Sequence, residues 1–315
     1  MLNINKLTLN YKNHFKIVVF LRIIYTNIIM GENGFMTLEN FKKQKDFLVC
    51  VDSDGCAMDT MDIKHILCFG PCMVDEWGLD EWREEILERW NEVNLYTITR
   101  GINRFKGLAV ALEEIDRKYT KIEGIEEFAA WVDISSELSN AAVQREIDAN
   151  KDTVIFKKAL AWSIAVNKKI TALPDEEKRP FELVREALAF AHERADVAIV
   201  SSANLEAVLE EWEKHHLLLH VDIVMAQNVG TKAFCISELL KKGYDMDKVV
   251  MCGDALGDMQ AAEKNGVYYY PILVKHEKES WQEFMDVGFE KLIDGSYAGP
   301  YQSAKRKQFL KNLGE

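Results

Sequence analysis

Three short runs in this chain are apolar at every position, and each stops at a polar cluster. Phe47–Val51 (FLVCV) ends in Asp52-Ser53-Asp54-Gly55, Val197–Val200 (VAIV) in Ser201-Ser202, and Val249–Cys252 (VVMC) in Gly253-Asp254. A strand apolar on both faces belongs in a parallel sheet covered by helices on each side. Val221–Val224 and Tyr268–Val274 read as weaker strands of the same kind. Between these runs, apolar residues recur at helical spacing over Phe181–Glu193, Leu205–His215 and Lys232–Lys242. The alternation predicts a doubly wound, Rossmann-like α/β core.

Residues 60–178 break that rhythm. Helical periodicity runs through Asp80–Leu95, Phe105–Lys118, Ile122–Ser136, Glu137–Ala149 and Thr153–Lys169 with no convincing strand. Five of the seven tryptophans (Trp77, Trp82, Trp90, Trp131 and Trp162) fall in this block, where they supply a core of their own. The pattern predicts an all-helical domain over residues 61–178, inserted between the first and second strands. Residues 36–60 and 179–300 then form the α/β core, and residues 301–315 a C-terminal tail.

The N-terminal stretch follows neither pattern. Residues 1–35 carry Lys6, Lys12, Lys16 and Arg22 against Glu32, a net of +3. Their apolar run Ile17–Met30 is interrupted by Arg22 and Asn27. It is short of the roughly 20 residues a spanning helix needs, and it lacks the small-residue cleavage site of a signal peptide. The expectation is that this segment lies outside the fold and that the functional chain begins at Met36.

Charge and cysteine usage narrow the classes. With 39 Lys+Arg against 51 Asp+Glu, the 315-residue chain has a formal charge of −12, which argues against a general nucleic-acid binder. A small phosphorylated substrate needs only a few local cations. The six cysteines are scattered without a CxxC pair, as expected for reduced thiols in a cytoplasmic protein. Cys68, Cys72 and nearby His65 have no second pair to complete a zinc site.

The chemistry lies at the strand ends, where open α/β sheets bind their ligands. Asp52, Asp54, Asp254 and Asp258 would repel one another there unless a cation sat among them. Hard oxygen donors without His or Cys point to Mg²⁺. Lys232, at a helix start after Gly230-Thr231, adds a cation, and Ser201 with adjacent Ser202 adds hydroxyls, so the set suits a phosphoryl group. Asp52 can attack phosphorus to give an aspartyl-phosphate. Asp54 can protonate the leaving oxygen and later deprotonate water. Asp254 and Asp258 anchor the metal, while Ser201 and Lys232 hold the equatorial oxygens. Simpler uses exist beside these: Ser201-Ser202 is an ordinary N-cap signal for the next helix, and Asp258 suits the first turn of another. The segment Thr99–Lys106 holds Arg100, Arg104 and Lys106, which could contact the substrate's leaving group or simply be solvated.

The ordered set DSDG, VAIVSS, Lys232 and GDALGD resembles the four motifs of the haloacid dehalogenase-like hydrolase superfamily. Its intervals, 31 residues from Ser201 to Lys232 and 22 from Lys232 to Asp254, are similar too, and the helical insertion resembles that family's cap. The resemblance implies Asp52 as nucleophile, Asp54 as acid/base with its backbone carbonyl on Mg²⁺, Ser201 and Lys232 on phosphate, and Asp254 supported by Asp258 on the metal. Cys56-Ala57-Met58 departs from the usual Thr or Val followed by apolar residues. The expected activity is Mg²⁺-dependent hydrolysis of a small phosphate monoester under a closing cap. Alternatives on the same scaffold are a phosphomutase, a phosphonatase-like hydrolase (disfavoured by Asp54) and a non-catalytic ligand-binding protein. No stable membrane association is expected.

Overall fold

The structure, a computed structural model, describes residues 37–149 and 154–315. The N-terminal extension and the start proposed at Met36 lie outside the described residues. Five parallel strands, β1 (Phe47–Val51), β2 (Ala195–Val200), β3 (Ile223–Met225), β4 (Val249–Gly253) and β5 (Tyr268–Pro271), form one sheet in the order β3-β2-β1-β4-β5. The chain winds outward from β1 to β3, then returns to the other side of β1 for β4 and β5. The switch point therefore falls between β1 and β4, the place where such sheets open a crevice at their carboxyl ends.

Alternation along the strands divides the core in two. Val49, Val51, Val197, Ile199, Val250 and Cys252 face one layer of helices, including Val184–His192, Leu205–Lys214 and Glu277–Glu283. Leu48, Cys50, Ala198, Val200, Val249 and Met251 face the other, which includes Lys232–Leu240, Leu256–Asn265 and Pro300–Asn312. Successive side chains on a strand point to opposite faces, so runs apolar at every position bury both. Residues 301–315 are no tail. Most lie in the helix Pro300–Asn312, whose Phe309 is fully buried edge-on to Tyr269, with ring centroids 5.2 Å apart.

Between β1 and β2 the described chain is helical, with a hydrophobic core separate from the two sheet layers. Trp162 is at its centre, meeting Trp90 and Phe105 edge-on at 6.2 Å each. Its indole donates to the Phe69 carbonyl at 3.1 Å. Sequence periodicity gave no helix before Asp80. The structure has Met61–Lys64 and Gly70–Trp77 joined by a π-helical turn, His65–Phe69. Pro71 lacks an N–H and so cannot donate to the carbonyl of Leu67, which accounts for a break in the ordinary ladder here. Where the helical block leaves and rejoins the sheet, the two chain segments are bonded together: Asp59 N donates to Arg179 O at 2.7 Å and Phe181 N to Ala57 O at 3.0 Å. Among the described residues, no helix is long and apolar enough to cross a membrane.

Candidate active site

Because β1 is central, the ends of β1, β2 and β4 are neighbours, and they carry Asp52, Ser201 and Asp254. The backbone N–H of Asp52 donates to Cys252 O at 3.0 Å, which fixes the first acid one step past the ladder. Asp52, Asp254 and Asp258 each present a carboxylate oxygen within 4.8 Å of the others, all three buried. Asp258 reaches this cluster from the first turn of its helix. Its Oδ2 accepts the Ala255 N–H at 3.1 Å, so it caps the helix and faces the site at once. Gly253 makes that possible, since a Cβ there would lie 2.3 Å from Asp258 Cγ.

Two cations balance the three acids in part. Lys232 Nζ is 2.8 Å from Asp52 Oδ2 and 2.6 Å from Asp258 Oδ1. Arg100 Nε donates to Asp254 Oδ2 at 2.6 Å. One negative charge is left over. Burial pushes Asp254 up to about 6, against the pull of Arg100 and with further upward pressure from Asp52. Burial likewise pushes Asp258 up to about 7, opposed by Lys232 and assisted by Asp52 and Asp254. Burial alone would lower the Lys232 pKa, yet Asp258 and Asp52 raise it, so it is a fixed positive charge.

A metal fits this arrangement. Asp254 Oδ1 is buried with no hydrogen-bond partner, a costly state for a carboxylate oxygen unless a cation meets it. The donors are all hard oxygens, the set that suits Mg²⁺. Gly55 (φ +81°) passes beside this group: a Cβ there would be 2.3 Å from Asp254 Oδ2 and 2.6 Å from Arg100 Nη2.

Asp54 belongs to a second charge cluster at the edge of the first. Its Oδ1 accepts from Thr60 Oγ1 at 2.5 Å and Lys64 Nζ at 2.7 Å. Lys64, buried on the first helix after β1, also meets Glu211 Oε1 at 3.2 Å. Burial disfavours the Asp54 carboxylate, but Lys64 and Thr60 outweigh it and hold its pKa below the usual range. Burial also opposes the charge on Lys64, but Asp54 and Glu211 keep it protonated. Thr60, Lys64 and Glu211 were not candidates from sequence. No local pattern marks them, because a buried ion pair across 147 residues leaves no periodic signal.

The remaining candidates separate. Asp52, Asp54, Ser201, Ser202, Lys232 and Asp254 all line one cavity of about 1340 Å³ between the sheet ends and the helical block. Ser201 Oγ accepts from Ala203 N at 3.1 Å. It does not cap the following helix, where Asn204 accepts from Glu206 and Ala207 N–H instead, so the N-cap reading of Ser201-Ser202 is corrected. The three cations between Arg100 and Lys106 also part ways. Arg100 is buried against Asp254, Arg104 lines the cavity, and Lys106 is exposed outside its lining. An Asn103 N-cap starts the helix Arg104–Lys118. Helical rotation then turns Arg104 inward and Lys106 away.

A sequence model of the haloacid dehalogenase-like hydrolase family matches residues 125–271, which hold Ser201, Lys232, Asp254 and Asp258. With the four motifs in order on this parallel sheet, this match makes the chain similar to the haloacid dehalogenase-like hydrolases. Similar solved structures include a haloacid dehalogenase-like family hydrolase from Xanthomonas campestris (14% identity, covering 82% of this chain and 98% of that one, TM-score 0.46). Another is a haloacid dehalogenase-like family hydrolase from Streptococcus pneumoniae (12% identity, 75% and 90% covered, TM-score 0.42). A third is a predicted phosphatase from Clostridium acetobutylicum (11% identity, 72% and 85% covered, TM-score 0.40). No curated protein matches the chain significantly.

Proposed function

We propose that this protein hydrolyses a small phosphate monoester through an aspartyl-phosphate on Asp52. The observation that carries this reading is the buried trio Asp52, Asp254 and Asp258, with Lys232 between Asp52 and Asp258, where Asp52, Asp254 and Lys232 line a cavity. In the first step an Asp52 carboxylate oxygen forms a bond to phosphorus as the bond to the leaving oxygen breaks. Asp54, ionised at rest beside Lys64 and Thr60, first takes up a proton from solvent and gives it to that oxygen as the alcohol departs. In the second step Asp54 takes a proton from water, whose oxygen bonds to phosphorus while the Asp52–phosphorus link breaks and inorganic phosphate leaves. Lys232 and Ser201 hold the non-bridging oxygens, with Ser202 beside them. Asp52, Asp254 and the backbone carbonyl of Asp54 would hold Mg²⁺, with Asp258 fixing Lys232 and the loop. When bound, the ion offsets the negative charge that Asp52 and a phosphate bring together.

Lys64 bears on the phosphonatase alternative. A lysine that forms a Schiff base must be neutral to attack a carbonyl, and Lys64 is held protonated between Asp54 and Glu211. This favours oxygen-ester hydrolysis with Asp54 as proton carrier. The test is phosphate release from a panel of phosphorylated metabolites, with Mg²⁺ and with EDTA, alongside acid-quench capture of the phosphoenzyme. Release dependent on Mg²⁺, with label trapped on Asp52, is the expected result. Absence of release across the panel would overturn the reading.

A further inference from the structure

If the phosphatase reading holds, the substrate's leaving group extends from Asp52 toward the helical side of the cavity. That side has an unusual composition. The residues the helical block contributes to the lining include no Asp or Glu, in a chain with 51 of them. They do include Lys64, His65, Asn103, Arg104, Asn140 and Asn167. We propose that this wall is a subsite for a second anionic group on the substrate, a carboxylate or a second phosphate, and that Arg104 is its cation.

Arg104 differs from its neighbours in having no carboxylate at ion-pair distance among the described residues. Lys64 is neutralised by Asp54 and Glu211, and Arg100 by Asp254. Arg104 Nη1 instead donates to two neutral acceptors, Asn167 Oδ1 at 2.7 Å and Ser163 Oγ at 3.0 Å. The Ser163 hydroxyl in turn donates a hydrogen bond to Asn140 Oδ1 at 2.7 Å. The guanidinium carbon stands 5.1 Å from the centre of the Phe69 ring. Asparagine, serine and an aromatic face fix the group's orientation without cancelling its charge, and Nε and Nη2 keep their donors for a ligand. Burial works against that charge, with Asp54 the carboxylate that offsets it. Such a cation gains most from an oxyanion in the same low-dielectric space.

His65 adds a neutral donor. Trp90 Nε1 donates to His65 Nδ1 at 3.2 Å, so in the neutral ring the proton sits on Nε2. Burial, assisted by Arg100, pushes the ring down to about 3 and keeps it neutral. The wall thus offers donors and one positive charge with no carboxylate at ion-pair distance among the described residues, in the cavity that Lys232 also lines.

The decisive experiment compares n-propyl phosphate, 2-carboxyethyl phosphate and propane-1,3-diol bisphosphate, with their four- and five-carbon homologues. The wild type should favour one or both charged series over the neutral one by about 30-fold or more in kcat/KM, as a charge-assisted pair implies. The better charged series identifies carboxylate or phosphate. Arg104→Met should bring charged and neutral esters to within about threefold of each other, with Arg104→Lys between. Asn167→Asp supplies Arg104 with an internal carboxylate: it should preserve or raise the melting temperature yet erase the preference, which loss of structure would not do. Equal wild-type turnover of charged and neutral esters, or a preference that survives Asn167→Asp, overturns the subsite. Calorimetry with the matching phosphonates separates this from the hydrolase reading. If no ester is turned over but the charged phosphonate binds more tightly than propylphosphonate, and Asn167→Asp removes the difference, the subsite stands and the hydrolase reading falls.

Discussion

Arg100 and Asp254, 154 residues apart in sequence, share a hydrogen bond of 2.6 Å with both side chains about 1% exposed. Arg100 comes from the helical block and Asp254 from the end of β4. Arg100 also donates to Leu95 O at 2.7 Å, so its second contact lies within the helical block. The pair ties that block to the acidic cluster and occupies Asp254 Oδ2, leaving Oδ1 buried without a hydrogen-bond partner. Arg100→Met should therefore destabilise the metal-free protein by about 3–5 kcal/mol, the usual result of orphaning one partner of a buried pair. Denaturant unfolding measures this, and a loss below about 1 kcal/mol would show the pair to be incidental.

Asp52→Asn removes the proposed nucleophile at nearly constant volume. It should lower kcat by about 10⁴-fold or more while the unfolding midpoint changes little. Asp54→Asn should differ in kind: with a good leaving group such as p-nitrophenol, phosphoenzyme should accumulate because its hydrolysis lacks a base. Rapid-quench labelling distinguishes the two, and equal labelling in both variants would contradict the assigned roles.

The contact between Lys64 and Asp54 would set when Asp54 can act as the proposed base. Lys64 holds the Asp54 pKa down, so its removal should let that value rise. The acid limb of the kcat–pH profile should then move to higher pH in Lys64→Met and return toward wild type in Lys64→Arg. An unmoved limb would mean that Asp54 does not limit the rate on that side.

A metal ion held as proposed would compete with protons for the buried acids. Asp254 and Asp258 titrate at about 6 and about 7, above the ordinary aspartate value of 3.8. The folded protein therefore binds more protons than the unfolded chain across this interval, and these two groups contribute stability at low pH that is lost as pH rises through 6–7. Without metal, their share of the melting temperature should decline between about pH 4.5 and about 7.5. Mg²⁺ should restore it at the upper end, with affinity increasing over the same interval and protons released on binding. Differential scanning fluorimetry with and without EDTA, and calorimetry in two buffers, test the sign. Metal affinity independent of pH would refute it.

Gly55→Ala probes the turn after Asp52. At φ +81° with Asp254 Oδ2 2.3 Å from the position of a Cβ, alanine must displace either the loop or the acid. The strain costs on the order of 1–3 kcal/mol, and activity should fall about 10²-fold because the reacting groups shift. Wild-type kinetics in this variant would mean the loop relaxes freely.

The three central strands were legible because burial on both faces demands unbroken apolar runs, and each run ends where its candidate site residue begins. The helices of the block were legible for a similar reason: a buried stripe imposes a 3.6-residue period. Pro300–Asn312 was not legible, since its few apolar contacts, such as Phe309, give no stripe. The helix before Asp80 was missed too, because a π-turn interrupts its register.

By itself the sequence determined the parallel sheet and the order of its strand-end acids, because burial and charge repulsion constrain residue type locally. The tertiary structure alone decided which cations meet those acids. Arg100 and Lys64 are brought by the helical block against Asp254 and Asp54, Lys106 is turned outward, and Arg104 is left facing the cavity without a carboxylate. Such pairings depend on distances between segments far apart in the chain, fixed only when the helical block docks on the sheet.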